Sequence, residues 1–133
     1  MPRYILYTDG ASRGNPGPSG AGAFITTSSG EIVAEIAEYI GETTNNVAEY
    51  RALLAGLEKL VTLGAQEVEI RADSELMVRQ IQGRYRVKHP NLQPLYQEAL
   101  GLLKKIGRYS VHHVLREKNK DADRLANLAI DEH

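Results

Sequence analysis

The stretch that decides the fold is residues 46–63, NVAEYRALLAGLEKLVTL, where the spacing of apolar side chains becomes helical. The side chains that share one face at this spacing are Leu53, Leu57, Leu60 and Val61. The polar run at residues 43–46 offers several N-cap side chains, and Gly64 is a typical helix terminator. We therefore predict a long helix over residues 46–63.

Three strand-like segments precede this helix. The first is halted at Asp9-Gly10, and turn-forming residues at 14–18 and 28–30 separate it from the other two. The segments are residues 4–8, 21–27 and 32–37. Consecutive strands joined in this way predict an antiparallel meander.

After Gly64 the sequence alternates between strand-like and helix-like spacing. The predicted elements are a strand at 68–72, helices at 74–82 and 92–106, a strand at 109–115 and a last helix with Leu125, Leu128 and Ala129 on one face. Because strands that alternate with helices pair in parallel, we predict an α/β fold in the order βββαβααβα. Its five-stranded mixed sheet would combine three antiparallel strands with parallel additions, flanked by helices, in a single domain over residues 1–133.

Composition excludes several classes of protein. The hydrophobic fraction of 42% and charged fraction of 25% are typical of a folded globular chain and argue against disorder. The absence of cysteine excludes disulfides and thiolate sites, so any metal needs oxygen or histidine ligands. A net charge of -1 lacks the overall basicity of many nucleic-acid binders. Without a membrane-length apolar run or a signal-peptide core, we expect a cytoplasmic protein with no membrane partner, and a monomer by default.

Acidic residues stand where predicted elements begin or end. Asp9 closes the first strand, Asp73 closes the fourth and Glu49 lies in the first turn of the long helix. Asp121 and Asp123 open the last helix. If the first and fourth strands are adjacent and parallel, Asp9 and Asp73 emerge side by side at one end of the sheet. Neighbouring carboxylates take up protons or bind a cation, and hard oxygen ligands favour Mg²⁺ or Mn²⁺.

Each acid also has an ordinary explanation. Asp9-Gly10 is a common turn pair, and Asn46 with Glu49 fits a capping box. The acids that fit helix N-caps are Asp73, Asp121 and Asp123. Singly these explanations are favoured, but together they must account for several acids at the ends of elements.

Two other segments and a histidine pair leave alternatives open. The glycines of residues 10–18 could admit a phosphate, although spacing alone favours a plain turn. Residues 84–88 place Tyr85 among basic side chains, which fits either a phosphate-tracking surface or a solvated loop. His112 and His113 point to opposite faces of a strand and are expected to be ordinary strand residues.

Four motifs, taken in order, carry a resemblance to a known family. They are Tyr7-Thr8-Asp9-Gly10-Ala11 with Gly14-Asn15-Pro16-Gly17-Pro18, Thr44-Asn45-Asn46-Val47-Ala48-Glu49-Tyr50, Ala72-Asp73-Ser74, and Ala122-Asp123-Arg124-Leu125-Ala126-Asn127. In order and spacing they resemble type 1 ribonuclease H over essentially the whole chain. The resemblance implies a ribonuclease H-like fold.

The resemblance also implies a metal site and a reaction. The implied ligands of two Mg²⁺ ions, for which Mn²⁺ could substitute, are Asp9, Glu49, Asp73 and Asp123. Asp123 is chosen over Asp121 because it matches the family's Ala-Asp-x-Leu-Ala motif, although spacing from Leu125 and Leu128 would align Asp121 with the apolar face. The implied reaction is two-metal-ion, endonucleolytic hydrolysis of the RNA strand of an RNA/DNA hybrid, which leaves 5′-phosphate and 3′-hydroxyl ends.

The resemblance implies hybrid contacts as well. The implied substrate-binding residues are Ala11, Ser12, Arg13, Asn15, Thr44 and Asn46. Bacterial relatives carry a histidine in the loop before the last helix; here residues 116–120 contain none, so Arg116 or Lys118 is the expected substitute. With no tryptophan and only a short segment at 84–90, the chain resembles the compact archaeal-type branch that lacks the basic protrusion.

Three other functions compete with a hybrid-specific nuclease. A broader ribonuclease would also cut double-stranded RNA, because both duplexes present 2′-hydroxyls in a wide minor groove. A non-catalytic nucleic-acid-binding module could keep the fold without turnover, although the presence of all four acids argues against it. A transposase or integrase shares the fold class but does not share the start of the long helix.

Overall fold

The computed structural model describes residues 3–133, which form five strands and four helices in the predicted order. The strands are β1 (Arg3–Ser12), β2 (Gly17–Thr27), β3 (Ile32–Thr43), β4 (Glu67–Ala72) and β5 (Arg108–His113). The helices are α1 (Asn45–Thr62), α2 (Glu75–Ile81), α3 (Gln93–Ile106) and α4 (Lys120–Asp131), and a single 3₁₀ turn at Arg116–Lys118 precedes α4.

The strands form one mixed sheet in the order β3-β2-β1-β4-β5. The β1–β2 and β2–β3 pairs are antiparallel, and the β1–β4 and β4–β5 pairs are parallel. This arrangement confirms the predicted meander with parallel additions. Thr8 of β1 pairs with Ala72 of β4, so Asp9 and Asp73, each the next residue along, lie at the same end of two neighbouring strands.

The first two strands are longer than the sequence predicts. β1 does not stop at Asp9-Gly10 but continues to Ser12, and β2 begins at Gly17 rather than at residue 21. Asp9 is paired with Gly22, inside the antiparallel ladder. Asp9-Gly10 is therefore not a turn, and the glycine-rich loop is confined to a few residues between the two strands.

Close helix packing explains these glycines better than turn formation does. A Cβ on Gly10 would clash with the backbone of Ala48 in α1, and a Cβ on Gly22 would clash with the Ala122 carbonyl in α4. Since neighbouring strand residues point to opposite faces, α1 and α4 lie on opposite faces of the sheet at the level of Asp9. Asp9-Gly10 has the composition of a turn, but Gly10 lets α1 approach β1, and Gly22 lets α4 approach β2.

The other boundaries differ in smaller ways. β3 extends to Thr43, beyond the predicted residue 37, because it remains paired with the longer β2. β5 ends at His113 rather than at residue 115, and the chain then enters the 3₁₀ turn. α1 begins and ends within one residue of the prediction, with Thr44 as its N-cap.

The core lies between the sheet and the helices α1 to α3. Its fully buried members include Leu6, Ile25, Leu53, Leu57 and Ile70. Each such side chain contributes about 1.5–3 kcal/mol through burial, so the sheet and α1 form a firm support for the end of β1. No helix within residues 3–133 is both long and apolar enough to span a bilayer.

Candidate active site

Three of the four predicted acids converge at the end of β1. Asp9 in β1, Glu49 in α1 and Asp73 after β4 each offer a carboxylate oxygen, and these oxygens lie within 4.8 Å of one another. They line an open cavity of about 370 Å³. Asp9 is buried, with 4% of its surface exposed, whereas Glu49 and Asp73 are half-buried and reachable from solvent.

The capping-box explanation of Glu49 is not what the structure shows. The N-cap is Thr44, whose hydroxyl accepts a hydrogen bond from the Val47 N–H at 3.3 Å. The Glu49 Oε1 instead accepts from the Gly10 N–H at 3.0 Å, which ties α1 to β1.

Asp73 is likewise not the N-cap of α2. That place belongs to Ser74, whose hydroxyl accepts from the Met77 N–H at 3.3 Å. The Asp73 carboxylate is therefore left to face the other two acids. Thr44 and Ser74 provide the two N-caps, so capping accounts for neither Glu49 nor Asp73.

Burial and mutual repulsion make this cluster hold protons. Burial, followed by the charges of Glu49 and Asp73, raises the pKa of Asp9 to about 9, and a hydrogen-bond contact with Asp123 acts in the same direction. Burial and the charge of Asp73 raise the pKa of Glu49 to about 8, although the Gly10 N–H and the charge of Arg116 act against the shift.

These carboxylates fit a divalent cation. Their donor atoms are all hard oxygens, which Mg²⁺ and Mn²⁺ prefer. A cation placed among them would replace the protons that repulsion otherwise retains and would remove the main cause of the raised pKa values. The chemistry of the donor set therefore supports a metal site, with Asp9 at its centre.

The fourth predicted acid, Asp123, lies beside Asp9 but outside the group of three. It is half-buried in the first turn of α4, where the Asn127 Nδ2 donates to its carbonyl oxygen at 3.0 Å and to its Oδ1 at 3.3 Å. Asp121 is exposed and lies 3.6 Å from the Arg124 guanidinium. The geometry thus favours Asp123 over Asp121.

The expected alignment of Asp121 with the apolar face of α4 is wrong. The buried residues of α4 are Ala122, Leu125, Ala126, Ala129 and Ile130. Leu128, which the sequence pattern counts as apolar-facing, is only half-buried. The buried face of α4 is therefore rotated, relative to the predicted one, toward Ala122, Ala126 and Ala129. In this orientation Asp121 is exposed to solvent.

The two basic residues expected to replace the missing histidine lie in different places. Arg116 lines the carboxylate cavity, and its charge lowers the pKa of Glu49 from the value that burial alone would give. Lys118 lines a separate depression beside Tyr7 and Phe24. Arg116 is therefore the one positioned to act on groups bound at the carboxylates.

Three of the predicted substrate-binding residues share one small cavity. Asn15, Thr44 and Asn46 line a depression of about 190 Å³ together with His89. The Asn15 Oδ1 accepts from the Asn45 N–H at 3.0 Å, and the Nδ2 of the same amide is the donor that this residue can offer to a ligand. Uncharged donors at the start of α1 suit a phosphate group.

The other three lie outside this cavity. Ala11 and Ser12 belong to β1 rather than to a loop, and the Ser12 hydroxyl is bonded to that of Ser19 at 2.6 Å. The Arg13 guanidinium pairs with the Asp131 carboxylate at 2.6 Å and lies 3.5 Å from Asn127. The structure thus gives Ser12 and Arg13 partners within the protein.

Sequence reasoning missed two residues near the carboxylates. His113 lines the cavity, because the parallel β4–β5 pairing sets it opposite Ala72, next to Asp73. Asn119 is buried at the start of α4 and bonded to β1. Knowing the register of β4 against β5 would have predicted that His113 lies beside Asp73. The alternation of side chains within one strand does not reveal that register.

Comparisons with known proteins agree with this geometry. A family model described as "Reverse transcriptase-like" matches residues 7–129. The "Bifunctional protein Rv2228c" of Mycobacterium tuberculosis is 48% identical over 97% of this chain and 36% of its own length, so the chain spans about a third of that relative. The "Ribonuclease H" of Chromohalobacter salexigens is 35% identical, over 99% of this chain and 87% of its own length.

Solved structures give the same result. The N-terminal RNase H domain of Rv2228c has a TM-score of 0.95 and covers 97% of this chain and 99% of that one. LC11-RNase H1, isolated from compost by a metagenomic approach and solved in complex with an RNA/DNA hybrid, has a TM-score of 0.93 at 48% identity. That match covers 97% of this chain and 97% of the other.

Proposed function

The chain belongs to the type 1 ribonuclease H family, and from this we propose that it is an endoribonuclease that hydrolyses the RNA strand of RNA/DNA hybrids with divalent metal ions. The observation that carries the proposal is the convergence of three carboxylates within 4.8 Å at the open end of β1. A hybrid as substrate is supported by the complex of LC11-RNase H1, which is 48% identical.

The proposed ligands of two Mg²⁺ ions are Asp9, Glu49, Asp73 and Asp123. Asp9 would be the central residue of this set, because it lies within the group of three and also contacts Asp123. When bound, the two ions supply activation of the attacking water and stabilisation of the leaving oxygen. Mn²⁺ has the same preference for oxygen ligands and should substitute.

The reaction we propose is a simple displacement at phosphorus. A bond forms between the water oxygen and the phosphorus, the bond from phosphorus to the 3′ oxygen breaks, and the water's protons pass to solvent and to the leaving oxygen. The products are then a 5′-phosphate and a 3′-hydroxyl. The protein's carboxylates orient the participants, and uncharged donors at Asn15, Thr44 and Asn46 would hold a backbone phosphate of the duplex.

Arg116 would act on this reaction through its charge. A guanidinium offers N–H donors and no acceptor, so Arg116 cannot take up a proton from the reaction as a histidine can. From its place on the cavity wall it can instead attract the substrate phosphate and the charge that develops on it.

The test is cleavage of an end-labelled RNA/DNA hybrid with Mg²⁺ or Mn²⁺, with EDTA as the metal-free control. Asp73→Asn should reduce cleavage by more than about 100-fold, since loss of a ligand exceeds the usual effect of losing an outer partner. Asp121→Asn is the matched control, because it makes the same change on an exposed acid outside the cavity.

Substrate range is read in parallel. Double-stranded RNA and duplex DNA are incubated under the same conditions, and ligation of the products distinguishes a 5′-phosphate from a 5′-hydroxyl. Cleavage of double-stranded RNA would establish the broader ribonuclease. Hybrid binding without cleavage under either metal would make the protein a binding module and would refute the proposed activity.

A further inference from the structure

Asn119 connects two of the elements that carry the proposed metal ligands, β1 and α4. Only 1% of its surface is exposed, and its Nδ2 donates to the Thr8 carbonyl oxygen at 2.9 Å. Its own backbone carbonyl accepts from the Asp123 N–H at 3.1 Å. A single buried residue thus joins the strand position just before Asp9 to the helical turn that carries Asp123.

The buried amide is not explained by packing alone. Its Oδ1 makes no hydrogen bond to any residue in the described range 3–133. A buried acceptor without a partner destabilises the folded state, a cost that an apolar side chain of the same shape would avoid. What the amide supplies that an apolar side chain cannot is the donor to Thr8.

The Thr8 carbonyl lies at a position that needs such a donor. Thr8 and Ala72 are the last residues paired between β1 and β4, so the ladder of parallel pairing ends there. Asn119 therefore adds a hydrogen bond to β1 where its pairing with β4 ends. This bond lies at the residue immediately before Asp9.

Glu49 and Asp73 are held next to residues 8–10 of β1. Glu49 is bonded to the N–H of Gly10, and Asp73 directly follows the residue that pairs with Thr8. Asp123 contacts Asp9 through its side chain, and the bond from Asn119 to Thr8 fixes the helical turn that carries Asp123 to the same strand. Each of the three partners of Asp9 is thereby fixed to a residue adjacent to Asp9.

We propose that Asn119 is a positioning residue for the metal site and sets the distance between Asp9 and Asp123. The inference rests on the proposed function, since both acids are proposed as metal ligands. Mg²⁺ demands near-ideal octahedral geometry, so a small displacement of the start of α4 would weaken its binding. Losing an outer partner of a metal ligand usually reduces affinity by about 10–100-fold.

The test compares Asn119→Leu with Gln80→Met. Leucine has nearly the shape of asparagine, adds no charge and cannot donate to Thr8. Gln80 in α2 is the matched control: it is a second buried amide, and its Oε1 accepts from the Tyr50 hydroxyl at 2.6 Å. Gln80→Met breaks that bond and costs stability in the same way, but it has no connection to Asp123.

Mn²⁺ binding to the nucleic-acid-free protein is measured by calorimetry and by electron paramagnetic resonance, and hybrid cleavage is followed as a function of metal concentration. We expect Asn119→Leu to bind Mn²⁺ about 10–100-fold more weakly, with a lower kcat that high metal partly restores and an unchanged KM for the hybrid. Gln80→Met should bind Mn²⁺ as the wild type does.

Equal Mn²⁺ affinity in both variants would overturn the positioning role and leave Asn119 as a structural residue. Absence of Mn²⁺ binding in the wild type would instead refute the proposed function. If Asn119→Leu is largely unfolded, Asn119→Ser and the stabilisation of each variant by added Mn²⁺ report the affinity, because ligand-linked stabilisation follows the dissociation constant. A variant that saturating Mn²⁺ cannot return to the folded state also counts against the proposal.

Discussion

The Glu49 carboxylate accepts a hydrogen bond at 3.0 Å from the Gly10 N–H, which ties α1 to the residue that follows Asp9. This approach depends on the missing side chain of Gly10, whose Cβ would meet the backbone of Ala48 and Glu49. The position of one acid is therefore set by the smallest residue in the neighbouring strand.

Gly10→Ala should destabilise the protein and impair the site together. The new methyl group meets helix backbone rather than a flexible side chain, so α1 must move away from β1. We expect a loss of about 1–3 kcal/mol in the free energy of unfolding, measured by urea denaturation, and a larger loss of hybrid cleavage than this alone explains. Gly101→Ala is the control: a Cβ there meets nothing within 4 Å, and alanine is the better helix former. Equal behaviour of the two variants would contradict the close approach of α1.

The metal-free protein should lose stability as pH rises from about 4 to about 9. The pKa values of Asp9 and Glu49 are raised to about 9 and about 8 from ordinary values of 3.8 and 4.5. Between these values the folded state holds protons that the unfolded chain has released. For each such proton, the free energy of unfolding falls by about 1.4 kcal/mol for every unit that the pH rises. Urea denaturation in EDTA at several pH values measures the slope, and Mg²⁺ should flatten it. An equally steep decline in Asp9→Asn would show that the slope has another origin.

Asp73→Asn should stabilise the metal-free protein while abolishing its activity. The charge of Asp73 raises the pKa of both Asp9 and Glu49, and the amide removes that charge. We expect a gain of roughly 1–2 kcal/mol near pH 8, because one of three mutually repelling charges is removed. Thermal denaturation in EDTA makes the measurement, with Asp121→Asn expected to change little because that acid is exposed. A loss of stability in Asp73→Asn would mean that the three carboxylates do not repel one another.

Arg116→Ala and Lys118→Ala should differ in their effect on cleavage. Arg116 lines the carboxylate cavity and Lys118 does not. We expect Arg116→Ala to lower kcat by about tenfold or more, with partial recovery in Arg116→Lys, which retains the charge. Lys118→Ala should remain close to the wild type, because Lys118 is exposed and lines a different depression from the carboxylates. A larger loss in Lys118→Ala than in Arg116→Ala would reverse the assignment.

Much of the fold is predictable because its signals are local. The apolar spacing of residues 46–63 places α1 to within one residue, and the alternation at Val68, Ile70 and Ala72 places β4. Those patterns depend only on which face of each element is buried. The end of β1 is different: Asp9-Gly10 has the composition of a turn, and only its pairing with β2 shows that it is strand.

The candidate site is also predictable in part, because its acids lie in short sequence motifs. The resemblance identified Asp9, Glu49 and Asp73, and the structure brings them together. Capping and ligand roles of Glu49 could not be separated from sequence, because the deciding contact is with Gly10. The contribution of Asn119 depends on a bond across 111 residues, which no local pattern reveals.

The proposed ligands span residues 9 to 123, so the site is assembled from nearly the whole length of the chain. A chain still being synthesised can complete β1 and α1 and bring Asp9 to Glu49, yet it lacks the fourth acid until α4 has docked against the sheet. By the same reasoning, detachment of α4 from the sheet would remove one proposed ligand while leaving Asp9 beside Glu49.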